Sequence, residues 1–193
     1  MSAVIKTENH VGSRYRIGMW VALASVAMMF TSLSSAYVVR SGGAKDWFPI
    51  AMPRVLLVST ALILLSSVSL EIARRNLKRS LPHAYARYLL FTALLGLGFL
   101  GSQVSAWQQL SAQGIYLASH SYSSFFYLLT VAHAVHLLGG LLALMFLWFR
   151  SRRYISEPVA VAKRQATADA VTIYWHFMDG LWIYLFLLLF LWR

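Results

Sequence analysis

The feature that most constrains this chain is a series of five apolar stretches, each about as long as a bilayer is thick, joined by connections too short to fold alone. A hydrocarbon core of roughly 30 Å takes about 20 residues of helix to cross. Candidate spans fall at about residues 17–39, 55–72, 88–107, 124–149 and 171–192. Water in that layer cannot satisfy the backbone, so a spanning segment must be a helix or part of a closed barrel. Continuous apolar runs of this length predict helices. The expected fold is therefore all-α: a polar N-terminal tail over 1–16, then one transmembrane domain of five helices over 17–193. The first apolar run carries no small-residue cleavage site and reads as a retained helix rather than a signal peptide.

Composition agrees, with 59% hydrophobic residues, 12% charged and a mean hydropathy of +0.62. The net charge of +11 does not suggest nucleic acid, because the basic residues sit in short clusters between the apolar runs and line no aromatic-bearing groove. Thirteen of the seventeen Lys and Arg residues would share one side of a five-span chain: Lys6, Arg14, Arg16, Arg74, Arg75, Lys78, Arg79, Arg87, Arg150, Arg152, Arg153, Lys163 and Arg164. Arg40, Lys45, Arg54 and Arg193 would lie on the other. Cytoplasmic loops retain the excess of Lys and Arg. This predicts a cytoplasmic N-terminus and a periplasmic C-terminus. The lack of an Arg- and Ser-rich transit peptide points to a bacterial inner membrane. With no cysteine, the chain cannot form disulfides, thiolate metal sites or iron–sulfur clusters.

Ionisable groups in hydrocarbon are costly, so the few inside the spans are the first candidates for function. His133 and His136 lie three apart on the fourth span, and His176 and Asp179 three apart on the fifth. Each pair shares a helix face, and both pairs are expected to meet in one polar cluster inside the bundle. Three readings compete: hydrogen-bonded glue between helices, a haem or metal site, and a proton path, the last short of protonatable groups. Gln103 is expected to bond between helices, and Glu71 to pair locally with Arg74 and Arg75. Arg74, Arg75, Arg79 and Trp175 are candidate phospholipid contacts. Ser32 with Ala36, Gly98 with Ser102, and Gly139 with Ala143 have the four-residue spacing that allows close helix approach. Trp20, Trp47, Trp107, Trp148 and Trp192 lie near span ends, where indoles favour the interface. No P-loop, nucleophile elbow, zinc-protease helix or dinucleotide fingerprint occurs. Catalysis by this chain alone is therefore not expected.

The run Tyr174-Trp175-His176-Phe177-Met178-Asp179-Gly180-Leu181-Trp182 closely resembles the last-helix signature of cytochrome c oxidase subunit III. Phe125-Phe126, the His133 to His136 stretch and Gly139 resemble the same family's penultimate helix. Leu95-Gly96, Phe99, Gln103 and Trp107 fit the helix before it, and Arg16-Ile17-Gly18-Met19 fits the first. The resemblance covers nearly the whole chain. It implies the five-helix form, without the first two helices of the seven-helix version, packed beside the catalytic subunit I and in one complex with subunit II. It further implies no cofactor in this chain, haem and copper in the partner subunits, bound structural phospholipids, and support of proton uptake and turnover stability in subunit I. Accessory subunits of quinol oxidase and of nitric oxide reductase look similar. A haem-binding membrane anchor and a small transporter are further alternatives. The sequence departs from the family at Val26, where many members carry a membrane-embedded Glu.

Overall fold

The computed structural model describes residues 2–43, 47, 53–152 and 158–192. Lys45, Arg153 and Arg193, which entered the charge count above, lie outside the described residues. Five helices follow in order: α1 Ser2–Ser41, α2 Val55–Lys78, α3 Pro82–Ala112, α4 Ser121–Ser151 and α5 Pro158–Leu191. All five are long and apolar enough to cross a membrane, and no strand occurs among the described residues. The bundle is all-α.

The helices run on beyond their apolar segments. α1 takes in the polar residues 2–16, and α3 and α5 both start at a proline. Adding a residue to an existing helix gains one hydrogen bond for one residue fixed, so a helix continues until its sequence stops it. Proline suits the first turn, where its missing N–H would have had no partner. α4, with 31 residues, is about 45 Å long at 1.5 Å per residue, which carries its ends past the hydrocarbon.

Two helix ends use the same device. After α2, Leu81 N–H donates to the Asn76 carbonyl at 3.0 Å and Ser80 N–H to Leu77 at 3.1 Å, with Ser80 at φ 57°. After α3, Ile115 N–H reaches Leu110 at 3.0 Å and Gly114 N–H reaches Ser111 at 3.0 Å, with Gly114 at φ 78°. Both are left-handed caps that satisfy carbonyls left over at a helix end. The first uses serine where glycine would be unstrained.

Helix α2 packs along α3, α3 along α4, and α4 along α5. α5 also packs on α1 and α2, and α1 makes a smaller contact with α4. Among the described residues α1 touches neither α2 nor α3. One long face of α1 is therefore left outside the bundle, with Thr31, Ser32, Ser35 and Ala36 exposed on it. Leu57, Leu65, Val68, Leu142, Phe149 and Leu191 belong to the exposed apolar coat. Lipid supplies no hydrophobic difference for helices to exploit, so close packing and internal hydrogen bonds must hold the bundle.

Candidate functional site

Helix α5 organises the interior. Trp175 and Trp182 lie seven residues apart on one face, and both are fully buried. The Trp175 ring reaches from α5 across to α3 and α4. A Cβ added at Gly96 would lie 2.8 Å from its Cη2, and one at Gly140 would lie 3.2 Å from its Cε3. Bare glycine backbone on two helices thus makes the slot that the indole fills. Of the three small-residue pairs picked from spacing, Gly98 and Gly139 show only ordinary contacts, with Leu62 and Tyr174. Spacing alone could not single out Gly96 and Gly140, because what selects them is a ring on a third helix.

Both indoles donate to hydroxyls of α2, Trp175 Nε1 to Ser66 Oγ and Trp182 Nε1 to Thr60 Oγ1, each at 3.0 Å. Ser66 in turn donates to the Ile63 carbonyl at 2.7 Å, and Thr60 to Leu56 at 2.8 Å. The same arrangement recurs twice. Gln103 Nε2 donates to Ser59 Oγ at 3.1 Å while Ser59 donates to Leu56 at 2.8 Å. Trp107 Nε1 donates to Thr130 Oγ1 at 3.1 Å while Thr130 donates to Phe126 at 2.7 Å. Each hydroxyl spends its proton on its own helix and offers its lone pairs to a neighbouring helix, so neither group is left alone in hydrocarbon. Gln103 does bond between helices. Ser59, Thr60, Ser66 and Thr130 had escaped the sequence reading, although the Ser and Thr content of α2 carried the signal.

The four candidate ionisable residues do not come together. His133 is fully buried, with Phe30, Phe99 and Trp182 around its ring at centroid distances of 6.4, 5.8 and 5.3 Å. Neither of its nitrogens has a hydrogen-bond partner among the described residues. His136 turns to the α1 side, where Phe30 lies 5.7 Å away, and its Nδ1 is 2.8 Å from the Ala132 carbonyl of its own helix. Tyr174 joins α5 to this turn by donating to the His136 carbonyl at 2.8 Å. His176 and Asp179 belong instead to the seam between α5 and α2. His176 Nδ1 lies 2.6 Å from Ser67 Oγ and 3.9 Å from Asp179 Oδ2. The expectation of one cluster is corrected to two separate places. What stands against the His133 ring is Trp182, one helical turn beyond Asp179, and spacing along one helix cannot show that a large ring on the next occupies the meeting point.

The basic residues divide likewise. Arg74 Nε lies 3.1 Å from Glu71 Oε2, and its Nη1 donates to Asp169 Oδ1 of α5 at 3.3 Å, so it ties two helices together. Arg75 Nε donates to Glu71 Oε1 at 3.1 Å with its side chain largely exposed. Arg79 is exposed at the end of α2. Trp175, expected at a lipid headgroup, is 0% exposed. Its N–H is already bonded inside the bundle and its ring lies between glycines, which leaves nothing for a headgroup to meet.

At the end of the bundle where α5 finishes, tyrosines close its C-terminus. Tyr37 of α1 donates to the Trp192 carbonyl at 2.5 Å, and Tyr122 of α4 donates to the Leu189 carbonyl at 2.9 Å. Trp47 stacks edge-on against both rings. The signature residues of α5 therefore join α2, α3 and α4, while the end of the chain beyond the signature, at Leu189 and Trp192, is held by α4 and α1.

From residue 5 to residue 193 the sequence matches the family model of cytochrome c oxidase subunit III. The chain belongs to that family. It is 30% identical to cytochrome c oxidase subunit 3 of Thermostichus vulcanus, over 98% of this chain and 94% of that protein. It is 32% identical to the probable cytochrome c oxidase subunit 3 of Mycobacterium tuberculosis (strain ATCC 25618 / H37Rv), over 88% and 84% of the two chains. Similarity extends to the cytochrome bo(3) ubiquinol oxidase subunit 3 of Pseudomonas putida, at 25% identity over 91% and 84%. In this member of the subunit III family the α1 position of Val26 is half-buried and packs against the core. α1 holds no carboxylate between Ile17 and Ser41.

Proposed function

We propose that the chain is the non-catalytic accessory subunit III of a proton-pumping haem-copper terminal oxidase, which reduces oxygen to water in aerobic respiration. The observation that carries the reading is the end-to-end match to subunit III of both cytochrome c and quinol oxidases. The interior agrees with it, since the residues of the α5 signature are used in joining helices. In this reading subunit I, which carries haem and copper together with subunit II, lies against the bundle. The α1 face bearing Thr31, Ser32, Ser35 and Ala36 suits such a neighbour, because small side chains let another helix approach closely. The N-terminus lies in the cytoplasm of a bacterial inner membrane, and Arg75 and Arg79, exposed on that side, meet anionic phospholipid headgroups.

An affinity tag on this chain tests the reading. Purification from native membranes in mild detergent brings down a larger haem-bearing subunit with a Soret absorbance and oxidase activity, driven by reduced cytochrome c or by quinol. A chain that purifies as a stable monomer, with no haem protein attached under any mild condition, overturns it. Expression of the chain alone gives no Soret band, whereas a haem anchor built on His133, His136 and His176 gives one.

A further inference from the structure

We propose that the end of the bundle where α3 and α5 begin is a binding site for a phosphate group, held by Arg164 and Tyr85 against free backbone N–H groups of α3. The site goes beyond the accessory role and rests on the geometry of this chain alone. α3 and α5 both start here, at Pro82 and Pro158, and neither carries an acidic residue in its first turn. In α3 the first N–H to find a helical partner is that of Tyr85, which donates to the Leu81 carbonyl at 3.0 Å. Proline has no N–H and no side chain caps the helix at Leu81, so the N–H groups of His83 and Ala84 point out of the helix end. A helix of 31 residues also brings a partial positive charge to this place, and an anion is the partner that both features favour.

A bare helix end is common, but this one has two buried donors aimed at it. Tyr85 is 1% exposed, and its hydroxyl has no hydrogen-bond partner among the described residues. Arg164 of α5 lies over its ring, with Cζ 5.7 Å from the centroid, and Nη2 of that guanidinium is likewise buried and unpartnered. Helical side chains lean back over the preceding turn, so both groups reach toward the starts of their helices. α3 and α5 do not pack backbone to backbone, and these long side chains bridge the space between them. Among the described residues no carboxylate answers Arg164, since Glu71 and Asp169 are engaged by Arg74 and Arg75 and Asp179 lies far along α5. Lys78, Arg79 and Arg87 are exposed at the same end and add to its attraction for an anion. Arg164 is half-buried, and a turn of its side chain brings Nη2 onto an anion at the α3 end without moving a helix. The tetrahedral spread of phosphate oxygens matches donors that arrive from two helices, a guanidinium and a phenol on one side and backbone N–H groups on the other. Free phosphate supplies such a group, and so does the headgroup of an anionic phospholipid, because Tyr85 lies just before the apolar run that begins near Tyr88.

The tagged full chain is purified from native membranes together with its partners and stripped of phospholipid in maltoside detergent. It is then given radiolabelled inorganic phosphate in one arm and phosphatidylglycerol in the other. Phosphate is counted by equilibrium dialysis and lipid by native mass spectrometry, per copy of this chain. The expected result is a site that weakens at least tenfold in Arg164→Gln and severalfold in Tyr85→Phe, as loss of charge-assisted hydrogen bonds requires, and by less than twofold in the neighbouring control Lys163→Gln. The arm in which it is found identifies the source of the phosphate. Absence from both arms, equal binding by wild type and Arg164→Gln, or equal weakening in Lys163→Gln overturns the site. Binding that occurs only in Glu157→Gln also overturns it, because Arg164 then has a carboxylate of its own. Tyr85→Phe keeps the ring, so the site stays testable even where Arg164→Gln fails to assemble. Neither count depends on oxygen reduction, so their failure is distinct from failure to recover an oxidase with the tagged chain.

Discussion

Gly96→Ala is the sharpest perturbation of this bundle. One methyl group at that position would lie 2.8 Å from Trp175 Cη2, 3.0 Å from Leu141 Cδ2 and 3.1 Å from Trp175 Cζ2. Carbon atoms attract best at about 3.5–4.0 Å, so all three contacts are repulsive. The indole has little room to retreat, because its N–H is fixed to Ser66 and its other edge lies against Gly140. Overpacking of this kind costs about 1–3 kcal/mol. Gly140→Ala, with nearest approaches of 3.1 to 3.3 Å, falls at the lower end. Gly101→Ala meets nothing within 4 Å and serves as the control. The assay is the temperature at which half of this subunit is lost from the solubilised complex, with and without Trp175→Phe. The phenyl ring does not extend to where Cη2 and Cζ2 lie, so Trp175→Phe makes Gly96→Ala less costly than it is alone. If Gly96→Ala and Gly101→Ala behave alike, or if the Trp175→Phe background leaves the cost of Gly96→Ala unchanged, the interlocking of α3, α4 and α5 through Trp175 is refuted.

Ser80→Gly relieves a left-handed serine at the end of α2 and raises the same midpoint, by about 0.5–1 kcal/mol in stability terms; a fall shows that the cap is not strained. His133→Leu removes two buried nitrogens that have no partner, so stability stays within about 1 kcal/mol of wild type, and a collapse of assembly would mean that this ring bonds something further. Thr60→Val leaves the Trp182 N–H without its acceptor and weakens the bundle by about 0.5–2 kcal/mol, measured against Ser25→Ala on the exposed face of α1. Dicyclohexylcarbodiimide leaves no tag anywhere between Ile17 and Ser41, since no carboxyl occurs there, and Val26→Glu creates one; absence of a tag in that variant shows that position 26 is closed to the reagent.

Much of the fold was legible before any coordinates. Five long apolar runs leave the chain no solution but helices, because unpaired backbone is intolerable in hydrocarbon. The α5 signature was equally readable, as was the local pairing of Glu71 with Arg74 and Arg75. The contacts made by that signature were not. His133 and Asp179 looked like partners because two helical faces were known and their rotation against each other was not. Trp175 looked like a phospholipid contact because nothing in the sequence shows which way the ring of a helical tryptophan turns. The structure places it at the centre, where two glycines on other helices leave a slot of its shape.

The one-dimensional pattern thus determined how many helices cross, roughly where they turn and which family the chain resembles. Each of these depends on a solvent that reads the chain locally, one stretch of about 20 residues at a time. Only the tertiary structure decided which hydroxyl receives which indole, which glycine admits Trp175, and which carboxylates line up with His176. Those outcomes depend on the rotation and depth of one helix against another. Both are set by close packing over many small contacts, and no single stretch of sequence contains them.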